Sequence, residues 1–141
     1  MKLLAWHCES LRYKDERPST RPPGIHPREP TKSNAEHEDV LLIFVSVEKG
    51  DTAVDAVTAA SVAAELTTQN GARNGCVIMP FAHLSQKLAP PEDARDLLAS
   101  LFEEVRSRGC EVTLASFGFH KLLELSMTAL GHPGSVAYRE I

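Results

Sequence analysis

The chain predicts an α/β domain: a mixed β-sheet with two main helices covering one face. Three observations carry that prediction. Val40-Leu41-Leu42-Ile43-Phe44-Val45-Ser46-Val47 is an unbroken apolar run of strand length, the pattern of a central strand buried on both faces. Two later stretches, beginning near Thr52 and Pro91, combine helix-start chemistry with glycine stops at Gly71 and Gly109. Short strand-like segments, Cys76–Met79 and Glu111–Ala115, follow each helix in turn, so strands and helices alternate before a strand-rich end.

Taken in order, Lys2 to His7 is mostly apolar and reads as a first strand. Glu9 to Glu38 differs in composition and holds five of the nine prolines (Pro18, Pro22, Pro23, Pro27, Pro30). It reads as a long Pro-rich loop at about 10–38 that has little to bury. Between Leu11 and Ala35 this segment sets Arg12, Lys14, Arg17, Arg21, Arg28 and Lys32 against Asp15, Glu16 and Glu29, and is locally basic. It is either a mobile arm that meets phosphate or a solvated surface loop.

Glu48-Lys49-Gly50 turns the central strand. Thr52 and Asp55 form a Thr-x-x-Asp capping box, and the alanine-rich helix after them stops at Asn70-Gly71. Its small residues predict close packing on the sheet. In the second helix Pro91 suits the first turn, and Glu92 and Asp93 complement the dipole. Ala94, Leu97, Leu98, Leu101, Phe102 and Val105 make one core-facing stripe, and Arg106 and Arg108 close the last turn before Gly109. After Glu111–Ala115, Ser116-Phe117-Gly118-Phe119 turns the chain into a strand on which Lys121, Leu123, Leu125 and Met127 share a face. Gly131-His132-Pro133-Gly134 is a further turn, and Ser135 to Ile141 a short last strand.

The composition excludes several classes. At 141 residues, with 24% charged and 43% hydrophobic residues, the chain is one globular domain with a single substantial core. No apolar run approaches the ~20 residues of a membrane span, and the apolar start is too short for a signal peptide, so no membrane partner is expected. Three cysteines, Cys8, Cys76 and Cys110, are widely spaced without a Cys-x-x-Cys pair, and the cytoplasm is the expected compartment. A net charge of −4 argues against a broad phosphate-binding face. Any nucleic acid would be touched over a small area.

The stretch of most chemical interest is Met79-Pro80-Phe81-Ala82-His83-Leu84-Ser85. Pro80 cannot donate to a sheet ladder, so the strand stops there and the backbone turns outward. Phe81, Ala82 and His83 then sit at the carboxyl end of a strand, where open α/β sheets bind ligands; an ordinary strand-to-helix loop has the same local pattern. Lys121, opening an apolar strand face, either snorkels to the rim or is held in a pocket mouth. His7 and Cys8 point to opposite faces of a strand, and no His-x-x-x-His or Cys-x-x-Cys occurs, so no metal is expected. Ser85 and Ser126 lack a Gly-x-Ser-x-Gly elbow, and no Walker motif or Gly-x-Gly-x-x-Gly occurs, so no cofactor is expected either.

Four motifs in register carry a resemblance: Phe44-Val45-Ser46-Val47-Glu48-Lys49, Pro80-Phe81-Ala82-His83-Leu84-Ser85, Phe117-Gly118-Phe119-His120-Lys121 and Gly131-His132-Pro133. Together they resemble the N-terminal editing domain of archaeal threonyl-tRNA synthetases, a family that shares its fold with D-aminoacyl-tRNA deacylases. The resemblance spans nearly the whole chain. It implies proofreading hydrolysis of the ester in L-seryl-tRNA(Thr), with the adenosine 2′-hydroxyl and protein backbone groups assisting the attack of water. By resemblance, Lys121 is the lysine at the reaction centre and His83 the histidine beside the aminoacyl group. Pro80, Phe81 and Ala82 would line the site, Phe117 and Gly118 would form the facing turn, and Val45 and Ser46 the floor. The implied partners are the 3′ end of tRNA(Thr) carrying serine and the rest of a synthetase, with a homodimer as the expected assembly.

Two positions depart from the family pattern. His120 stands where the family usually has Tyr, and a histidine there can stack or donate. Val136 stands where the family tends to have glutamate, three residues after His132-Pro133, and two extra residues fall between Ser126 and Gly131. Valine can act neither as acid nor as base, so the resemblance carries no role to Val136. The alternatives are a D-aminoacyl-tRNA deacylase proper and a non-catalytic module that binds the aminoacylated end or mediates dimerisation.

Overall fold

The computed structural model describes residues 1–25, 34–127 and 135–141. Among these, β1 (Lys2–Pro18), β2 (Asn34–Ser46), β3 (Cys76–Pro80), β4 (Val112–Leu114), β5 (Phe119–Met127) and β6 (Val136–Glu140) form one mixed sheet. Its order is β4-β3-β2-β1-β5, and β6 shares with β5 the outer edge of β1. β6 pairs with Lys2–Trp6 and β5 with Cys8–Pro18, while β2 and β3, and β3 and β4, run parallel. Helices α1 (Ala53–Asn70) and α2 (Pro91–Ser107) lie on one face, as expected. Ala56, Ala59, Ala60 and Ala63 let α1 approach Leu3, Ala5, Leu41, Ile43 and Ile78 closely, and Leu98, Leu101 and Val105 of α2 complete that core. The helix ends follow the sequence signals: the Thr52 amide and hydroxyl both donate to Asp55 Oδ2 at 2.7 Å, and Gly71 takes φ 76°.

The long loop expected at about 10–38 is largely a β-hairpin. β1 continues to Pro18 and β2 starts at Asn34, leaving only 19–33 as connection; Pro27, Arg28, Glu29, Pro30 and Lys32 lie outside the described residues. Leu11 and Tyr13 point inward and are buried while Arg12 and Lys14 point to solvent. One wet face therefore accommodates the charges that made the segment look irregular. Arg12 and Glu36 pair across the strands at 3.4 Å. The first strand is thus 17 residues long rather than ending at His7. Register shifts at Cys8/Ser10 and Asp15/Arg17 sharpen its curl, so Leu11 and Tyr13 reach the face opposite the helices. There they join Leu42, Phe44, Val77, Met79 and Ala115 in a second core. The last apolar alternation shortens to Val112–Leu114, and the turn expected at Gly131–Gly134 lies outside the described residues.

Candidate functional site

The curled sheet leaves a cavity of about 550 Å³ off the carboxyl ends of β2 and β3, where parallel strands leave backbone groups unpaired. Its floor is Val45 and Ser46, ending β2, with Pro80, which still pairs with Val45 as the last residue of β3. One wall is Phe81, Ala82 and His83; the facing wall is Phe117 to Lys121. The first turns of α2 close the side through Ala94 and Leu98. A fourth wall comes from the hairpin connection, Ser19 to Pro22 and Ile25, with Arg21 exposed. All ten residues named from the sequence (Val45, Ser46, Pro80, Phe81, Ala82, His83, Phe117, Gly118, His120 and Lys121) lie around this one space. Val136 does not: it pairs with Trp6 on β6 and faces solvent.

After extended Phe81 comes a short 3₁₀ segment, Ala82–Leu84, too brief to leave a periodic signal. It is fastened to β2. The Phe81 amide donates to Val45 O at 2.9 Å, the Ser46 hydroxyl donates to Phe81 O, and the Leu84 amide donates to Ser46 Oγ at 3.3 Å. Ser46 is buried, so its hydroxyl secures the loop. Phe81 rests on Phe44 (ring centroids 4.6 Å) and His83 meets Phe81 edge-on at 5.0 Å. This aromatic series runs from the core to His83, which is exposed.

Lys121 sits differently. Its side chain is 8% exposed, and its ammonium donates to Ser116 O at 2.6 Å and to Phe119 O at 3.4 Å. It lies 3.3 Å from Asp15 Oδ1, whose own side chain is 5% exposed. The Ser116 hydroxyl donates to the other carboxylate oxygen at 2.5 Å. Burial pushes the Lys121 pKa below the usual lysine range, and the neighbouring Asp15 charge pulls it part of the way back. Tyr13, two positions along β1, has a buried hydroxyl with no hydrogen-bond partner among the described residues, and burial next to Asp15 raises its pKa to about 12. The turn itself needs Gly118, at φ 82°, and its carbonyl accepts the Ser19 amide at 2.7 Å. Arg95 lies over the Phe117 ring at 5.4 Å.

Asp15 is the residue that sequence reasoning missed, having been counted among the charges of a loop. The signal was present: Leu11, Tyr13 and Asp15 alternate with Arg12, Lys14 and Glu16, the period of a half-buried strand. Among the described residues no group of His, Cys, Asp and Glu could hold a metal ion, and no helix is long and apolar enough to cross a membrane.

Comparison with known proteins agrees with the motifs. The chain matches, over residues 1–141, the family described as the archaea-specific editing domain of threonyl-tRNA synthetase. It is 37% identical over 137 residues to the threonine–tRNA ligase of Pyrobaculum aerophilum, covering 94% of this chain and 21% of that one. It is 34% identical over 145 residues to the enzyme of Thermofilum pendens, covering 100% and 22%. The chain thus spans about a fifth of the length of these relatives. Among solved structures, the c-Myc DNA Unwinding Element Binding Protein superposes with a TM-score of 0.71 at 9% identity, covering 100% of this chain and 99% of that one. That likeness shows a shared fold, the mixed sheet with two main helices expected from the sequence. With three of its four motifs gathered at one cavity and residues 1–141 matched, the chain belongs to the archaea-specific editing domain family of threonyl-tRNA synthetase.

Proposed function

We propose that this pocket hydrolyses the ester of mischarged L-seryl-tRNA(Thr) and spares L-threonyl-tRNA(Thr). The observation that carries this reading is the meeting of three separated motifs, around Ser46, His83 and Lys121, at one cavity. Serine lacks only the methyl of threonine, and one methyl discriminates by roughly 1–3 kcal/mol. A second, smaller pocket multiplies the selection, and Val45, Pro80 and Ala82 are the surfaces against which the extra methyl would collide. Water adds to the ester carbonyl, the bond to the adenosine 3′-oxygen breaks, and that oxygen takes a proton as serine leaves. The aminoacyl ester is already activated, so a nucleophilic side chain is unnecessary. Lys121 supplies positive potential for the developing oxyanion, His83 holds water or shapes the pocket, and the tRNA 2′-hydroxyl helps to place the water. Phe117, Gly118 and His120 would bound the aminoacyl end on the opposite side.

Arg21 at the rim offers a cation to a phosphate of the tRNA end, consistent with a small nucleic-acid footprint on a protein of net charge −4. The rest of a synthetase, in the cytoplasm, would supply the remaining tRNA contacts. A homodimer belongs to the same reading, and exposed Leu122 on β5 with Val136 and Tyr138 on β6 is apolar surface available for it.

The test is serine release from L-seryl-tRNA(Thr) beside threonine release from L-threonyl-tRNA(Thr), for wild type and Lys121→Met. Fast serine loss with threonine spared, falling about a hundredfold or more in the variant, is the expected result. Selective loss unaffected by the substitution would keep the reaction and assign its chemistry to backbone and RNA. No serine loss would sink the reading, and D-aminoacyl-tRNA would be the next substrate.

A further inference from the structure

We propose that Asp15 is the positioning residue of this site, holding the Lys121 ammonium against the Ser116–Phe119 turn and bracing that turn through the Ser116 hydroxyl. The inference rests on the deacylase reading above and adds to it a residue on an element that the motifs do not include. The ammonium donates to Ser116 O at 2.6 Å and Phe119 O at 3.4 Å, and forms an ion pair with Asp15 Oδ1 at 3.3 Å. Two of these acceptors belong to the turn that forms a pocket wall, so the orientation of lysine and turn is settled together. Asp15 has one oxygen toward each: Oδ1 faces the ammonium and Oδ2 accepts from Ser116 at 2.5 Å. A carboxylate this buried would be costly without those partners.

The groups facing the lysine can be named element by element. β1 presents Asp15, with Tyr13 two positions further along. The turn presents the Ser116 and Phe119 carbonyls. His83 lines the cavity from the opposite wall, and His120 precedes the lysine on β5. Arg21 stands at the rim and Arg95 over Phe117. Of these, Asp15 is the carboxylate in contact with the ammonium. Burial lowers the lysine pKa and Asp15 raises it. Neutralising Asp15 therefore lowers it further, and the ammonium is lost at a lower pH than in wild type.

Asp15→Asn keeps the side-chain volume and an acceptor for Ser116 while removing the charge. The expected result is a fall in kcat of about tenfold with KM within about twofold, and an alkaline limb of the pH–rate profile displaced to lower pH. An unchanged rate, or an equal loss at every pH with the limb in place, would overturn the proposal. A readout independent of catalysis is the rate at which a small amine-reactive ester acylates Lys121, followed by peptide mass spectrometry. Several-fold faster acylation in D15N near neutral pH supports the proposal, and equal rates overturn it. Should D15N fail to fold, Asp15→Glu carries the test, because it keeps the charge and displaces it by one methylene. D15E is expected to keep the wild-type limb with a several-fold lower kcat; a wild-type kcat would overturn positioning. Wild-type protein inactive on seryl-tRNA(Thr) would sink the deacylase reading, while the acylation rates would still decide the Asp15–Lys121 link.

Discussion

The two halves of the β1–β2 hairpin are one continuous ladder with opposite characters. In the inner half, Lys2–Cys8 against Val40–Ser46, the sheet lies under two helices and Leu3, Ala5, Leu41, Ile43 and Val45 are fully apolar and buried. In the outer half, Ser10–Lys14 against Asn34–Glu38, one face is wet and the other curls over the second core. Just past that pairing, β1 alone carries Asp15 to the pocket wall. Stability is concentrated in the first half and polar placement in the second. The site draws its floor from the former, and the carboxylate behind its charged wall from β1 where it runs on past the latter.

Three substitutions break or sharpen this contrast. The largest effect belongs to the inner half: Ile43→Ala, at a position with 0% exposure, is expected to cost roughly 2–5 kcal/mol in denaturant unfolding. A cost below that of an ordinary core truncation would mean that the outer half carries more of the fold than its composition implies. At the junction of strand and site, Ser46→Ala removes the hydroxyl that bonds Phe81 O and the Leu84 amide. A loss of about 1–3 kcal/mol is expected, with slower seryl-tRNA(Thr) deacylation as the 81–84 segment loosens; stability loss alone would detach that segment from the chemistry. The smallest effect belongs to the outer half. Tyr13→Phe deletes a buried hydroxyl that has no partner among the described residues, so thermal melting should show no destabilisation beyond ~0.5 kcal/mol, and a slight gain is the favoured outcome. A marked loss would reveal a role for that hydroxyl beside Asp15.

The same contrast explains what was legible in the sequence. Val40–Val47 announces the inner strand because burial on both faces leaves no charged residue to disguise it. The helices announce themselves through Thr52, Asp55 and Gly71, and through Pro91 and the Leu98–Leu101–Val105 stripe, because caps and periods are local. The outer half was obscured because Arg12 and Lys14, with Arg17 and the five prolines that follow from Pro18 to Pro30, dominate the composition of the segment, and composition averages over the two faces that a strand keeps separate. The site was legible in part for a different reason. Pro80 marked a strand end physically, but His83 and Lys121 stood out through resemblance, since neither has a local pattern that separates function from surface. Asp15 had neither advantage. Its partner Ser116 lies 101 positions away, and no local rule connects them.

That separation has a kinetic consequence. Contacts between distant segments form only after the intervening chain has closed, and topologies rich in them assemble slowly. The pocket needs the hairpin connection near Ser19, the end of the central strand, the 3₁₀ segment and the turn before Lys121 all in place at once. A chain still emerging, or one whose outer hairpin has opened, keeps its apolar centre yet has no enclosed space beside a charged lysine. Under the proposed function, hydrolysis would then be confined to completely assembled molecules, and a half-formed domain would be inert toward aminoacyl esters rather than indiscriminate.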